Sequence, residues 1–306
     1  METSRVTVPD GPVDGAPHKE LTIRQVSEGL NLPAPTIRAW ERRYGVPVAD
    51  RSRGGHRRYT DDQLDQLRRM RELIAQGQRP VDAAALVRAG YATAPRPLVQ
   101  AFVEGARDLA PDRITQTLDI ARQTLGLDRT VDEVLLPALR EVGEWWHAGR
   151  MDVSHEHLAT NATSAWLSAL PITGPRRSEP PIILSCGPQD HHTLGLEAIG
   201  ALLGDRGWDC RLLGARMPAE SLGHAVQETN AAAVVLVCHL SAGRRAAIEA
   251  LGSVEPRRTH LFYAGGAFAS GRARRDVPGR YLGTNLTRAA DVVTDAITST
   301  KSGHAH

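Results

Sequence analysis

The sequence predicts a multidomain α plus α/β protein with three successive units: a winged helix-turn-helix, a four-helix bundle and an open parallel sheet covered by helices. Three observations predict it. Seven arginines crowd the stretch from Thr36 to Tyr59, around a helical segment and a glycine-tipped hairpin. Ile114, Leu118, Ala121 and Leu125 recur at helical spacing, and the residues after them continue the theme. Beyond residue 181, short apolar runs alternate with helical stretches, which is the pattern of a parallel sheet. The expected division is a disordered tail at 1–18, the winged module at 19–90, the bundle at 91–172, a linker at 173–180, the sheet domain at 181–300 and a tail at 301–306.

Composition bounds the class. The chain has 306 residues, enough for two or three domains, and 41% of them are apolar. Aromatic residues make up only 4%, so each of the five tryptophans stands out. No apolar run approaches the roughly 18 residues of a membrane span. The polar, Pro/Gly-rich start does not read as a signal peptide. The three cysteines, Cys186, Cys210 and Cys238, form no Cys-x-x-Cys pair. They are expected to be buried thiols of a cytoplasmic protein.

The first module begins at Leu21. Thr22 is placed to cap a helix, and Asn31-Leu32-Pro33-Ala34-Pro35 supplies a turn. Thr36 to Tyr44 reads as a second helix, with Ile37 and Trp40 inward and Arg38, Arg42 and Arg43 outward. Gly45 ends it. Arg51 to Tyr59 reads as a hairpin wing that carries Arg53, His56, Arg57 and Arg58. The net charge of the chain is +2, but the segment 36–59 alone carries +5. Such a cluster is an electrostatic footprint for a phosphate backbone. A solvated basic face is the plainer alternative. A third helix follows from Thr60 to Gly77, and a short one from Val81 to Ala89.

Thr36-Ile37-Arg38-Ala39-Trp40-Glu41-Arg42-Arg43-Tyr44-Gly45 and Gly55-His56-Arg57-Arg58-Tyr59 together resemble the DNA-binding domain of MerR-type regulators. The resemblance implies a recognition helix in the major groove and wing arginines on phosphates or in the minor groove. Thr36, Arg38, Arg42, Arg43, Arg53, His56, Arg57 and Arg58 are the expected DNA-binding residues. Trp40 and Tyr59 are expected in the core.

In the bundle, the third helix closes at Trp146 and the fourth opens near Glu156-His157, so both fall at one end. One reading is a core tryptophan at a helix end and a helix start capped by Ser154; the other is a ligand cap. A zinc site is disfavoured, because His155 and His157 are two apart and do not share a helix face.

Strands are expected near 182–186, 209–213, 233–238, 260–264 and 280–282. In a flavodoxin-like order, 2-1-3-4-5, the sheet switches direction between its first and third strands, and ligands bind there. Three unusual loops fall on that edge. Asp190-His191-His192-Thr193-Leu194-Gly195 follows the first strand, Cys238-His239-Leu240 the third, and Gly265-Gly266 the fourth. A loop histidine with an acid two residues before it suits a metal ligand oriented by a carboxylate. A histidine merely bonded to its neighbour is the bland alternative.

The Asp-x-His-x-x-Gly, small-x-Leu and Gly-Gly elements, with Trp146 and Glu156-His157 separated by nine residues, resemble the cobalamin-dependent photoreceptor regulators of the CarH/LitR type. The resemblance implies a cobalamin-binding sheet domain and a bundle that acts as cobalamin cap. It implies adenosylcobalamin bound base-off, with His192 as lower cobalt ligand and Asp190, Gly195, Cys238, Leu240, Gly265 and Gly266 around it. Trp146, Val153, Glu156 and His157 would face the adenosyl group, and His147 would become the upper ligand after photolysis. It implies a repressor, often of carotenoid or photolyase genes, that binds operator DNA as a cofactor-dependent dimer or tetramer in the dark, excludes RNA polymerase and is released by light. Cys238 departs from the family serine; the thiol keeps the small volume but is a weaker hydrogen-bond partner. Two alternatives stay open: a light-independent cobalamin-responsive regulator, and an enzyme-linked corrinoid protein of a methyltransferase system. The basic winged module argues against the second. The lack of clustered cysteines argues against a metal- or drug-sensing dimer.

Overall fold

The computed structural model describes residues 21–47, 50–51, 57–92, 94–170, 177, 179–255 and 259–302. The predicted tail at 1–18, the wing tip with Arg53 and His56, and most of the linker at 173–180 lie outside the described residues. The chain forms two compact units, 1–92 and 93–306, each considered by itself.

The first unit contains α1 (Ile23–Leu30), α2 (Ala34–Tyr44), β1 (Asp50–Arg51), β2 (Arg57–Arg58), α3 (Asp61–Ala75) and α4 (Pro80–Ala92). Thr22 caps α1 and Thr60 caps α3, each in a reciprocal capping box with the glutamine three residues on. Gly45 ends α2 in the left-handed conformation, at φ 64°. β1 and β2 pair antiparallel as the base of the wing, and Leu21 bridges Tyr59 beside them. Val26, Ile37, Trp40, Tyr59, Leu67 and Met70 form the core, so the inward placing of Trp40 and Tyr59 holds. The helix expected at Val81–Ala89 is longer: it starts at Pro80, which suits a first turn because its missing N–H has no helical partner there.

The second unit opens with the helical layer: α5 (Pro95–Arg107), α6 (Pro111–Leu125), α7 (Leu127–Arg129), α8 (Leu136–His147) and α9 (Val153–Ser168). A π-helical turn, Thr130–Leu135, joins α7 to α8. These segments make four rods, since α7, the π turn and α8 run on as one. Sequence periodicity does not reveal the π turn, because one extra residue in a turn leaves Val131, Val134 and Leu135 still facing the core. Asp152, not Ser154, caps α9; its carboxylate accepts from the Ser154 amide at 2.8 Å. The Ser154 hydroxyl, the His155 ring and that amide together hold the Asp152 carboxyl down at about 2.

The sheet contains β3 (Ile182–Cys186), β4 (Cys210–Gly214), β5 (Ala233–Val237), β6 (His260–Ala264) and β7 (Arg280–Tyr281). All pairs are parallel, in the order β4-β3-β5-β6-β7, which is the predicted 2-1-3-4-5. The connecting helices are α10 (Leu194–Asp205), α11 (Ala219–Thr229), α12 (Arg244–Gly252) and α13 (Leu286–Ser302), so the last helix runs past the tail expected from 301. Strand alternation splits the sheet between two cores. Ile182, Leu184, Val235, Val237 and Phe262 join the bundle, α10 and α13. Ile183, Val234, Leu236 and Tyr263 pack with α11 and α12. Among the described residues, no helix is long and apolar enough to cross a membrane.

Polar links also fasten the bundle to the sheet domain. Arg206 of α10 binds Asp128 at 3.0 Å and Asp291 at 2.8 Å. Asp132, in the π turn, accepts from the Leu286 and Thr287 amides at 3.0 and 3.2 Å and from the Asn285 side chain at 2.9 Å. It therefore caps α13 from another layer. Asp132→Ala is expected to cost about 1–2 kcal/mol, the size of a lost N-cap. Hydrogen exchange should report it as earlier opening of the first turn of α13, with α5 and α6 unchanged.

Candidate functional site

The site lies at the carboxyl edge of the sheet, where the chain leaves β3 toward β4 on one side and β5 begins the other. Asp190 stands on the loop after β3 and is fully buried. Its backbone is anchored at both ends: the amide donates to Gly187 O at 3.0 Å, and the carbonyl accepts from the Arg216 amide at 2.8 Å. One carboxylate oxygen accepts from the His192 amide at 2.9 Å and lies 2.7 Å from His192 Nδ1. The other accepts from the His239 amide and lies 3.1 Å from His239 Nδ1. Burial alone would raise the carboxyl pKa. The two backbone donors and then the His192 ring outweigh it and hold the group at about 2, so it is an anion at neutral pH.

This arrangement orients His192. With Nδ1–H directed at Asp190, Nε2 carries the free lone pair, and the ring is about half exposed. His191 stacks on His192 at 4.2 Å between ring centres but has no bond to Asp190 among those found. The geometry thus separates the two adjacent histidines as the sequence pattern does.

His239 is the residue that sequence reasoning missed. It sits between Cys238 and Leu240, and only its neighbours matched a motif. Strand alternation held the signal: residues 235, 237 and 239 face one side, and position 238 faces the other. Cys238 is fully buried on the α11–α12 side, and its thiol lies 3.5 Å from Leu240 O. Burial pushes that thiol up to about 11. Leu240, in contrast, is 45% exposed.

Beside these loops is a cavity of about 230 Å³, lined by Gly195, Ile199, Val235, Val237, His239, Gly265, Gly266 and residues of the α13 approach. Gly265 has φ 104°, and a Cβ there would sit 2.2 Å from the carbonyl oxygen of Cys238. A Cβ on Gly266 would meet His239 O at 3.0 Å. The double glycine lets the β6 loop press against the β5 loop and leaves a smooth wall. Gly195 lies in the first turn of α10 with open space above its Cα. A larger cavity of about 370 Å³, between α9, α10 and β4, holds none of the predicted residues. We take the smaller one as the site because Gly195, Gly265 and Gly266 line it with His239, whose ring meets the carboxylate that orients His192.

The bundle residues gather where α8 passes into α9. Trp146 is 42% exposed, its ring 4.6 Å from that of His147. It is not a core tryptophan; Trp145 takes that part, packed on the core with Arg150 4.5 Å over its ring. Val153 is 49% exposed. Glu156 accepts from the Thr160 hydroxyl at 3.0 Å and lies 3.6 Å from His157 Nε2. Exposed apolar side chains beside an acid and two imidazoles form an unfilled surface.

In the winged module, Arg38, Arg42 and Arg43 are exposed on α2, and Thr36 is half-buried in its first turn. Arg57 differs from expectation: its Nε binds Glu41 at 2.7 Å and it is half-buried, so it ties the wing to the recognition helix. Arg58 is half-buried beside it.

A helix-turn-helix with a wing, followed by a bundle and a switch-point sheet with an oriented loop histidine, defines a DNA-binding regulator with a corrinoid-type ligand domain. Comparison with known proteins agrees. Residues 21–89 match the MerR HTH family regulatory protein model, and residues 96–170 and 180–290 match two B12 binding domain models. The chain is 34% identical to the HTH-type transcriptional repressor CarH of Myxococcus xanthus over 67% of its length and 74% of that protein. It is 35% identical to CarA of the same organism, over 68% and 73%. The chain belongs to the family of B12-binding, MerR-type regulators that includes these two proteins. The Methanosarcina barkeri monomethylamine corrinoid protein covers 66% of this chain and all of its own, with TM-score 0.54 and 14% identity, a likeness of fold alone.

The residues present fit a cobalamin. His192 offers Nε2 for an axial position, and the glycine-walled apolar cavity beside it suits a flat, buried appendage. Gly265→Ala should remove that fit, since the added carbon clashes with backbone and the φ is strained for any side chain. A destabilisation of about 2–3 kcal/mol is expected, read by urea denaturation, together with loss of cobalamin uptake.

Proposed function

We propose that this protein is an adenosylcobalamin-binding transcriptional repressor that leaves its operator when illuminated. The observation that carries the proposal is the Asp190–His192 pair at 2.7 Å, joined through the same carboxylate to His239 in the wall of the glycine-lined cavity. The names of CarH and CarA support repression. The winged module supports a regulator over an enzyme, and over a corrinoid protein serving a methyltransferase.

Bound adenosylcobalamin supplies a photolabile cobalt–carbon bond. The chain's own residues divide the remaining work. His192 would hold the cobalt through Nε2, with Asp190 orienting its ring. Gly195, Leu240, Gly265 and Gly266 shape the surroundings, and Cys238 supports the β5 loop from below. Trp146, Val153, Glu156 and His157 would meet the adenosyl group, and His147, beside Trp146, would supply an imidazole to the cobalt after illumination. A ligand shifts assembly only by its differential contacts with the two states. Exposed Trp146 and Val153 supply such contacts, because filling the space beside them buries about 0.8 kcal/mol per methylene. Assembly into dimers or tetramers then multiplies weak arginine–phosphate contacts on operator DNA and blocks RNA polymerase.

The test is the visible spectrum and sedimentation of protein with adenosylcobalamin, in darkness and after green light. In the dark a larger, coloured assembly should retard operator DNA; light should shrink it and free the DNA. His192→Ala should alter the spectrum far more than His191→Ala, and Trp146→Ala should blunt the light response. Identical spectra for wild type and His192→Ala would reject the axial assignment. An assembly indifferent to light would leave a light-independent cobalamin regulator.

For DNA, Arg38, Arg42 and Arg43 are the exposed contacts on α2, joined by Arg53, His56 and Arg58 of the wing. Arg57 acts through Glu41. Each lost phosphate contact should lower the salt slope of binding by about 0.9. Arg42→Ala is therefore expected to weaken binding and flatten the slope, whereas Arg57→Ala should weaken binding by loosening the wing. Binding titrations across salt concentrations check both.

A further inference from the structure

Sharing of Asp190 by two histidines has a second chemical meaning. The carboxylate is fully buried and anionic, and it holds Nδ1 of His192 at 2.7 Å and Nδ1 of His239 at 3.1 Å, one on each oxygen. The three donor atoms all lie within 4.8 Å of one another, and both rings open to solvent. The imidazoles meet at 61° with centres 5.3 Å apart. Two imidazoles bound to one tetrahedral ion at ~2.0–2.1 Å place their ring centres about 5 Å apart. The rings are therefore already spaced as ligands of a common ion, and the backbone amides of both histidines fix the carboxylate between them.

We propose that the corrinoid-free protein binds a divalent transition-metal ion, zinc by chemistry, through Nδ1 of His192, Nδ1 of His239 and the Asp190 carboxylate. Two imidazoles and one carboxylate leave a fourth position for water, a donor set that zinc accepts. A neutral imidazole carries one N–H, so binding the ion at Nδ1 moves that proton through solvent to Nε2, and each bound ring is the Nε2–H tautomer. His192 in that tautomer has no Nε2 lone pair for cobalt. Zinc and base-off cobalamin therefore exclude one another, and zinc occupancy sets how much protein is available to the corrinoid. This competition rests on the cobalamin reading above; the zinc site itself does not.

The experiment titrates corrinoid-free, full-length protein with Zn²⁺ against a chromophoric chelator, with Co²⁺ as a second probe whose visible bands intensify in a tetrahedral site. Wild type should take up one ion per chain at this site. His239→Asn keeps an N–H donor for Asp190 but removes the imidazole, so it should lose about 10–100-fold in zinc affinity. His192→Ala should lose both ligands, and protein loaded with cobalamin should refuse zinc. Unchanged zinc affinity in His239→Asn would overturn the proposal. So would equal zinc uptake by free and cobalamin-loaded protein, a comparison that needs no variant and decides the matter if His239→Asn does not fold. Failure of wild type to bind cobalamin would count against the function above, and the zinc titrations would still stand or fall on their own.

Discussion

The buried carboxylate of Asp190 organises the edge of the sheet. A charge in that position is costly unless it is fully hydrogen-bonded. Here two backbone N–H groups and two imidazoles meet it, from the loop after β3 and the loop after β5. Because the bonds come from two different loops, the carboxylate does three things together. It orients His192, fixes the depth of the β5 loop, and places His239 where the cavity wall begins.

The cavity depends in turn on what glycine permits. The loop after β6 runs against the carbonyl of Cys238 closely enough that no Cβ fits at Gly265. Cys238 belongs to this packing. Its side chain packs into the α11–α12 core. A cysteine is among the side chains most readily buried, and the local structure accommodates it.

The bundle and sheet share one continuous apolar core, and the π turn carries their polar link through Asp132. What is left uncovered is informative against that background. A chain this poor in aromatics leaves Trp146 exposed while burying Trp145, Trp166 and Trp208 wholly or in part. Trp166 and Trp208 spend their indole N–H groups on Asp119 and Thr294. Trp146, by contrast, leaves a large part of its ring on the surface.

Much of this was legible in the chain itself. Strand runs bounded by Gly and Pro, together with helical periodicity, determined the element order, and the unlike loops located the binding edge, because parallel sheets of this topology bind at the switch point. The cap at Thr22, and the cores around Trp40 and Ile114, follow from local chemistry that a few neighbouring residues decide. Three things needed the tertiary structure, and each for the same reason: it joins residues far apart in sequence. His239 reaches Asp190 across 49 positions. Arg57 of the wing meets Glu41 of α2 across 16 positions. Asp132 caps a helix more than 150 residues away. Local propensity speaks only for neighbours along the chain, and bonds of this kind form where folding brings loop ends together.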